Sequence, residues 1–132
     1  MISYTDSIES ITTDKLHGFF VGWSNPPSPE THLKLLVNSF KVVLAMDVKT
    51  SNVVGFITVI SDGVLSAYIP LLEVLPAYQG QGIGQELVRR MLDKLSGMYM
   101  VDLICDKEFQ SFYARFGMKP TNGMSIRKPG KT

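Results

Sequence analysis

One stretch of the chain combines residue types and spacing that suit binding chemistry: Leu71-Leu72-Glu73-Val74-Leu75-Pro76-Ala77-Tyr78-Gln79-Gly80-Gln81-Gly82-Ile83-Gly84. A strand is expected to end near Val74, a tight turn follows, and glycines take alternate positions as an amphipathic helix begins. The first turn of a helix carries unpaired N–H groups and the positive end of the helix dipole, an arrangement that suits a phosphate. Glycines let the backbone approach the anion without Cβ clashes. The segment therefore reads as a pyrophosphate cradle.

Spacing excludes two familiar nucleotide motifs. A dinucleotide fingerprint needs Gly-x-Gly-x-x-Gly, whereas the pattern here is Gly80-x-Gly82-x-Gly84, with no acidic residue placed for a ribose. The tail Gly130-Lys131-Thr132 imitates the end of a Walker loop, but Ser125 stands where its first glycine belongs. By contrast, Gln79-x-x-Gly82-x-Gly84, preceded by Val74-x-Pro76, resembles the acetyl-CoA signature Gln/Arg-x-x-Gly-x-Gly/Ala of the GNAT superfamily of N-acetyltransferases. Downstream, Phe112-Tyr113-Ala114-Arg115-Phe116-Gly117-Met118 resembles the Tyr-x-x-x-Gly-Phe segment of the same family, with Met118 in place of the phenylalanine.

The resemblance implies roles position by position. The backbone of Val74 would pair with the pantetheine arm of acetyl-CoA where the sheet splays. The N–H groups of Gln79, Gly80, Gln81, Gly82, Ile83 and Gly84 would hold the pyrophosphate. Tyr113 matches a tyrosine that protonates the departing thiolate, a role open to a phenol because it is neutral and a donor at physiological pH. Seven residues before it, where many relatives carry a cofactor-contacting Asn, this chain has Asp106, which serves equally as an N-cap. The implied activity is acetyl transfer to a primary amine of a small molecule or peptide, by direct attack in a ternary complex. The alternative is a non-catalytic acyl-CoA-binding or sensor domain of the same fold. Neither needs a metal, and a homodimer is within what the resemblance implies.

Amine attack needs a group to take a proton. Glu73 is the best-placed carboxylate, one residue before Val74 and on the opposite face of the strand. It reads either as the base, directly or through water, or as an exposed or paired glutamate. Trp23 lies where the resemblance places the acceptor site; it reads as a cation–π contact for the amine or as a packing residue. Cys105 reads as a small buried hydrophobe, and His17 and His32 as surface or helix-packing residues. Arg89 and Arg90 read as solvated residues of a helix face, or one of them as a contact for an adenosine phosphate.

The elements that must position these groups follow from periodicity. A helix is expected over residues 13–21, then the cluster Ser24-Asn25-Pro26-Pro27-Ser28-Pro29, then a helix starting near Pro29 with Leu33, Leu36, Val37 and Phe40 at helical spacing. Residues 41–46, 53–60 and 64–74 read as an antiparallel meander of three strands, the last interrupted at Pro70 by a bulge or a local parting. Ile83, Leu87, Val88, Met91, Leu92 and Leu95 form the stripe of the clearest helix. A strand over 99–105, a short helix stopped by Gly117, and a last strand over 118–127 complete the order β-α-α-β-β-β-α-β-α-β. This is an α/β chain. The resemblance implies a three-layer α/β/α sandwich around a mixed, mostly antiparallel sheet with a splayed central strand pair.

With 132 residues, 45% hydrophobic and 19% charged, the sequence reads as a single domain over residues 1–132 and not as a disordered or fibrous chain. Thirteen Lys+Arg against twelve Asp+Glu leave a net charge of +1, so nucleic acid and anionic membrane are not expected partners. The lone cysteine excludes an internal disulfide and a Cys-based zinc site, and the first residues lack a signal-peptide pattern, so a cytoplasmic location is expected.

Overall fold

The computed structural model describes residues 1–132. Six strands, β1 (Ile2–Thr5), β2 (Lys41–Asp47), β3 (Val53–Ser61), β4 (Ser66–Ile69), β5 (Leu72–Val74) and β6 (Met100–Leu103), form one sheet in the order β1-β2-β3-β4-β6, with β5 also paired to β3. All pairings are antiparallel except β4 with β6. The helices are α1 (Pro29–Asn38), α2 (Ile83–Lys94) and the short α3 (Gln110–Ala114). No helix is long and apolar enough to cross a membrane.

Two apolar clusters flank the sheet and make three layers. Val43, Ala45, Ile57, Ala67 and Ile69 meet Ile83, Leu87, Val88 and Met91 of α2. Val42, Leu44 and Phe56 point the other way, against Leu36 of α1 and Leu16, Phe19 and Phe20 of the preceding loop. Alternation along β2 divides its side chains between the faces, and β3 is buried from Val53 through Val59 because both of its faces are covered. Ala45 pairs with Gly55 and Met46 with Val53, so Val54 is an extra residue in β3 and a local bulge.

Three expected elements differ from what forms. Over residues 13–21 only a 3-10 turn, Thr13–Lys15, is present. Gly18, Phe20 and Gly22 have φ of 91°, 63° and 84°, which no right-handed helix admits. The strand expected over 64–74 is two strands, and of the bulge or parting expected at Pro70 it is the parting that forms, at Pro70-Leu71. It also starts late, because Asp62 Oδ1 accepts hydrogen bonds from the N–H groups of Val64, Leu65 and Ser66 and holds them in a turn. The last strand, over 118–127, does not form. Pro120 lacks a donor, no neighbour pairs with this segment, and Met124 and Ile126 stay 98% and 82% exposed. Helices α1, α2 and α3 and strands β2 and β3 lie where the periodicity places them, and β6 is shorter than expected at Met100–Leu103.

Candidate functional site

Around β5 the sheet opens. β4 and β6 stay paired as far as Ile69 and Leu103, but β5 pairs with β3 alone. Thr58 donates to the Leu71 carbonyl and Leu75 donates to the Val54 carbonyl, so residues 71, 73 and 75 turn their polar groups toward β3. By alternation, the N–H and C=O of Leu72 and Val74 face the open edge. The Val74 carbonyl is already occupied, accepting from Gln79 Nε2 at 2.9 Å. Its N–H is left as a donor at the edge, which suits an extended amide-bearing ligand.

Beyond β5, Pro76–Tyr78 forms a 3-10 turn, and Gly80 and Gly82 adopt φ of 80° and 81°. Gly82 is the N-cap of α2 and offers no side chain to its first turn. From Gly80 to Gln85, six consecutive N–H groups have no acceptor in the protein. Gln79 does not belong with them: its N–H donates to the Pro76 carbonyl at 3.3 Å, and its side chain staples the turn to Val74. The run of N–H groups free of a protein acceptor thus covers Gly80 to Gln85, one residue further on than the Gln79–Gly84 run that the sequence suggested. A hydrogen bond of 2.6 Å from the Tyr78 hydroxyl to Asp47 Oδ2 anchors the turn to the end of β2 and holds the Asp47 carboxyl below its usual range. An uncharged, glycine-flanked row of donors at a helix start fits a diphosphate.

Glu73 projects from the opposite face of β5. Its Oε1 accepts from the Phe20 N–H at 2.8 Å and its Oε2 from the Val21 N–H at 3.2 Å. It thereby holds the loop in which Phe20 takes a left-handed conformation. Trp23, 47% exposed, packs edge-on to Phe20 with ring centroids 5.1 Å apart, so Glu73 and Trp23 belong to one assembly. Nothing in the local sequence announced this clamp, because donor and acceptor lie 53 and 52 positions apart. The pair Gly18 and Gly22 was the available signal that the loop is not helical.

Tyr113 stands on the other side of the opening. It packs on the α2 face with Phe112 and lines a cavity of about 920 Å³ with Cys105, Tyr68 and Asp102. Burial, and then the nearby Cys105, push its hydroxyl above the ordinary tyrosine value, so it stays protonated. No hydrogen bond joins Tyr113 to Glu73. Asp106 is exposed at the N-cap of a 3-10 turn; its carbonyl, not its side chain, accepts from Phe109. Phe112 lies beside Gly84, where a Cβ would be 3.8 Å from its ring and 3.8 Å from the Val74 side chain. His32 is an aromatic-box residue of the α1 core, and His17 is exposed. Arg89 and Arg90 are both paired with Glu86, whose carboxyl they hold down to about 2.

The family model described as acetyltransferase (GNAT) family matches residues 8–118. An uncharacterised N-acetyltransferase ycf52-like protein of Prochlorococcus marinus is 35% identical over 100 residues, 74% of this chain and 56% of its own, so the chain spans little more than half of that relative. A Deinococcus radiodurans R1 protein put forward as an acetyltransferase superposes with a TM-score of 0.94 at 43% identity, covering 98% of this chain and 90% of that one. A GNAT-family acetyltransferase of Streptococcus pneumoniae TIGR4 gives a TM-score of 0.76 at 30% identity, covering 97% and 99%. With its split sheet, its donor row at the start of α2 and these relatives, the chain belongs to the GNAT acetyltransferase family.

Proposed function

We propose that this protein transfers the acetyl group of acetyl-CoA to a primary amine of a small molecule or peptide, by direct attack in a ternary complex. The observation that carries this reading is the row of six partnerless N–H groups, Gly80 to Gln85, beside the free edge of Val74. The donor row would hold the diphosphate and Val74 N–H would pair with the pantetheine arm, with Asp106 near that arm on the far side. Acetyl-CoA supplies, when bound, an activated thioester carbonyl.

The chain's own groups do the rest. Trp23 offers a π-face to an amine at the mouth of the Glu73-held loop. Glu73 has both oxygens engaged by backbone donors, yet a carboxylate keeps further lone pairs, through which it takes the amine proton by way of water. As the C–N bond forms and the C–S bond breaks, Tyr113 donates its proton to the departing sulfur. A raised phenol remains a donor throughout the neutral range, so any alkaline loss of turnover from this acid should fall above the ordinary tyrosine range.

The test is to incubate the protein with acetyl-CoA and a mixed amine panel and to follow free thiol. On any amine that responds, Tyr113→Phe should lower turnover by roughly 10²-fold with acetyl-CoA affinity unchanged. An unaffected rate removes Tyr113 from the mechanism. Stabilisation by CoA with no thiol release across the panel assigns the chain instead to non-catalytic acyl-CoA binding.

A further inference from the structure

Residues 75–85 contain no lysine, arginine, aspartate or glutamate. A diphosphate resting on the donor row would meet oriented dipoles there but no full positive charge. The arginines of α2 are neutralised elsewhere. Arg89 pairs with Glu86 at 2.5 Å and Asp93 at 3.2 Å; Arg90 pairs with Glu86 at 2.6 Å while lying 4.6 Å over the Tyr4 ring. Lys94, in the last turn of α2, pairs with Asp6.

Arg115 is different. It follows α3 immediately, and its Nη1 donates to Gln85 Oε1 at 3.1 Å, while its guanidinium carbon lies 5.3 Å from the centroid of the Phe112 ring. Gln85 is the third residue of α2 and the last of the donor row, and Phe112 lies against Gly84. Stacking on one element and a neutral hydrogen bond to the other thus hold the guanidinium beside the first turn of α2. No carboxylate pairs with it. Of its five N–H donors, one is used. The rest form a planar fork of the kind that matches phosphate oxygens two at a time.

We infer that Arg115 is the cation of the cofactor site, supplied from α3 to complete the anion cradle built by the backbone of Gly80 to Gln85. Gln85 is its positioning partner. Arg89 and Arg90, one of which the sequence offered for an adenosine phosphate, are instead engaged with Glu86 and Asp93 on the face of α2. The inference rests on the acetyl-CoA reading above.

Isothermal titration calorimetry separates the two. Wild type, Arg115→Gln, Arg115→Lys and the double variant Arg89→Gln/Arg90→Gln are titrated with acetyl-CoA and with S-acetylpantetheine, which lacks the diphosphate and the nucleotide. Arg115→Gln should weaken acetyl-CoA about tenfold and leave S-acetylpantetheine unchanged. Arg115→Lys should fall between, and the α2 double variant should bind as wild type. Raising the salt from 50 to 300 mM should weaken wild type more than Arg115→Gln. An Arg115→Gln affinity equal to wild type, or an equal loss for both ligands, overturns the inference and leaves the cofactor reading standing. A wild type that binds neither ligand overturns both.

Discussion

His32 is 1% exposed, and neither ring nitrogen has a hydrogen-bond partner. It sits among Phe19, Phe20 and Phe56, with ring centroids 5.2, 5.0 and 4.4 Å away. Burial alone holds its pKa down to about 4, so it is a neutral packing ring in the fold. In the unfolded chain it protonates near 6.5, so below that pH the unfolded state binds the extra proton. Stability should therefore be fully present above pH 6.5 and fall as pH drops from 6.5 toward 4. Urea midpoints at pH 7 and pH 5 measure this. His32→Leu should flatten the difference and cost nothing at pH 7, because an apolar side chain of similar size replaces two unsatisfied nitrogens. A wild-type midpoint constant across that window would sink the argument. That His32 lies on a helix was legible from the spacing of α1; that it is sealed was not. The lid over it is a loop whose shape is held by Glu73, some fifty positions away.

At the scale of elements, α2 packs tightly over Gly55 of β3. A Cβ there would lie 3.2 Å from Leu87 Cδ1, 3.3 Å from Ile83 Cγ2 and 3.3 Å from the Glu73 carbonyl oxygen. One of the three is backbone and the others are buried, so little can yield. Gly55→Ala should cost about 1–3 kcal/mol, read from chemical denaturation. It should also weaken acetyl-CoA binding, since Gly55 pairs with Val74. A neutral stability effect would mean that α2 slides without penalty. The amphipathic stripe of α2 was readable because its apolar spacing matches one helical face. The segments that misled were short and dominated by distant partners. Residues 13–21 carry a helical pattern, but Gly18, Phe20 and Gly22 take left-handed conformations under tertiary contacts. Residues 118–127 alternate well enough for a strand and find no neighbour to pair with.

At the scale of the whole molecule, the sheet is two pieces sharing β3, with β5 and β6 diverging where a cofactor would lie. A ligand that hydrogen-bonds Val74 on one side and the start of α2 on the other binds the native state and nothing in the unfolded chain. At 100 times its dissociation constant, acetyl-CoA should add about 2.7 kcal/mol and raise the thermal midpoint by on the order of 10 °C. Scanning calorimetry measures the rise; a midpoint that does not move with acetyl-CoA would refute the cradle. Composition, period and spacing were sufficient by themselves for an α/β chain, for the amphipathic helix α2 and for the glycine-rich turn that leads into it, because each depends on neighbours in the chain. Three things depended on tertiary structure: that Glu73 clamps the Trp23 loop, that Gln79 is a staple, and that Arg115 faces the first turn of α2. Each is a hydrogen bond or stack between groups that only the folded sheet brings together, and no local pattern encodes such a meeting.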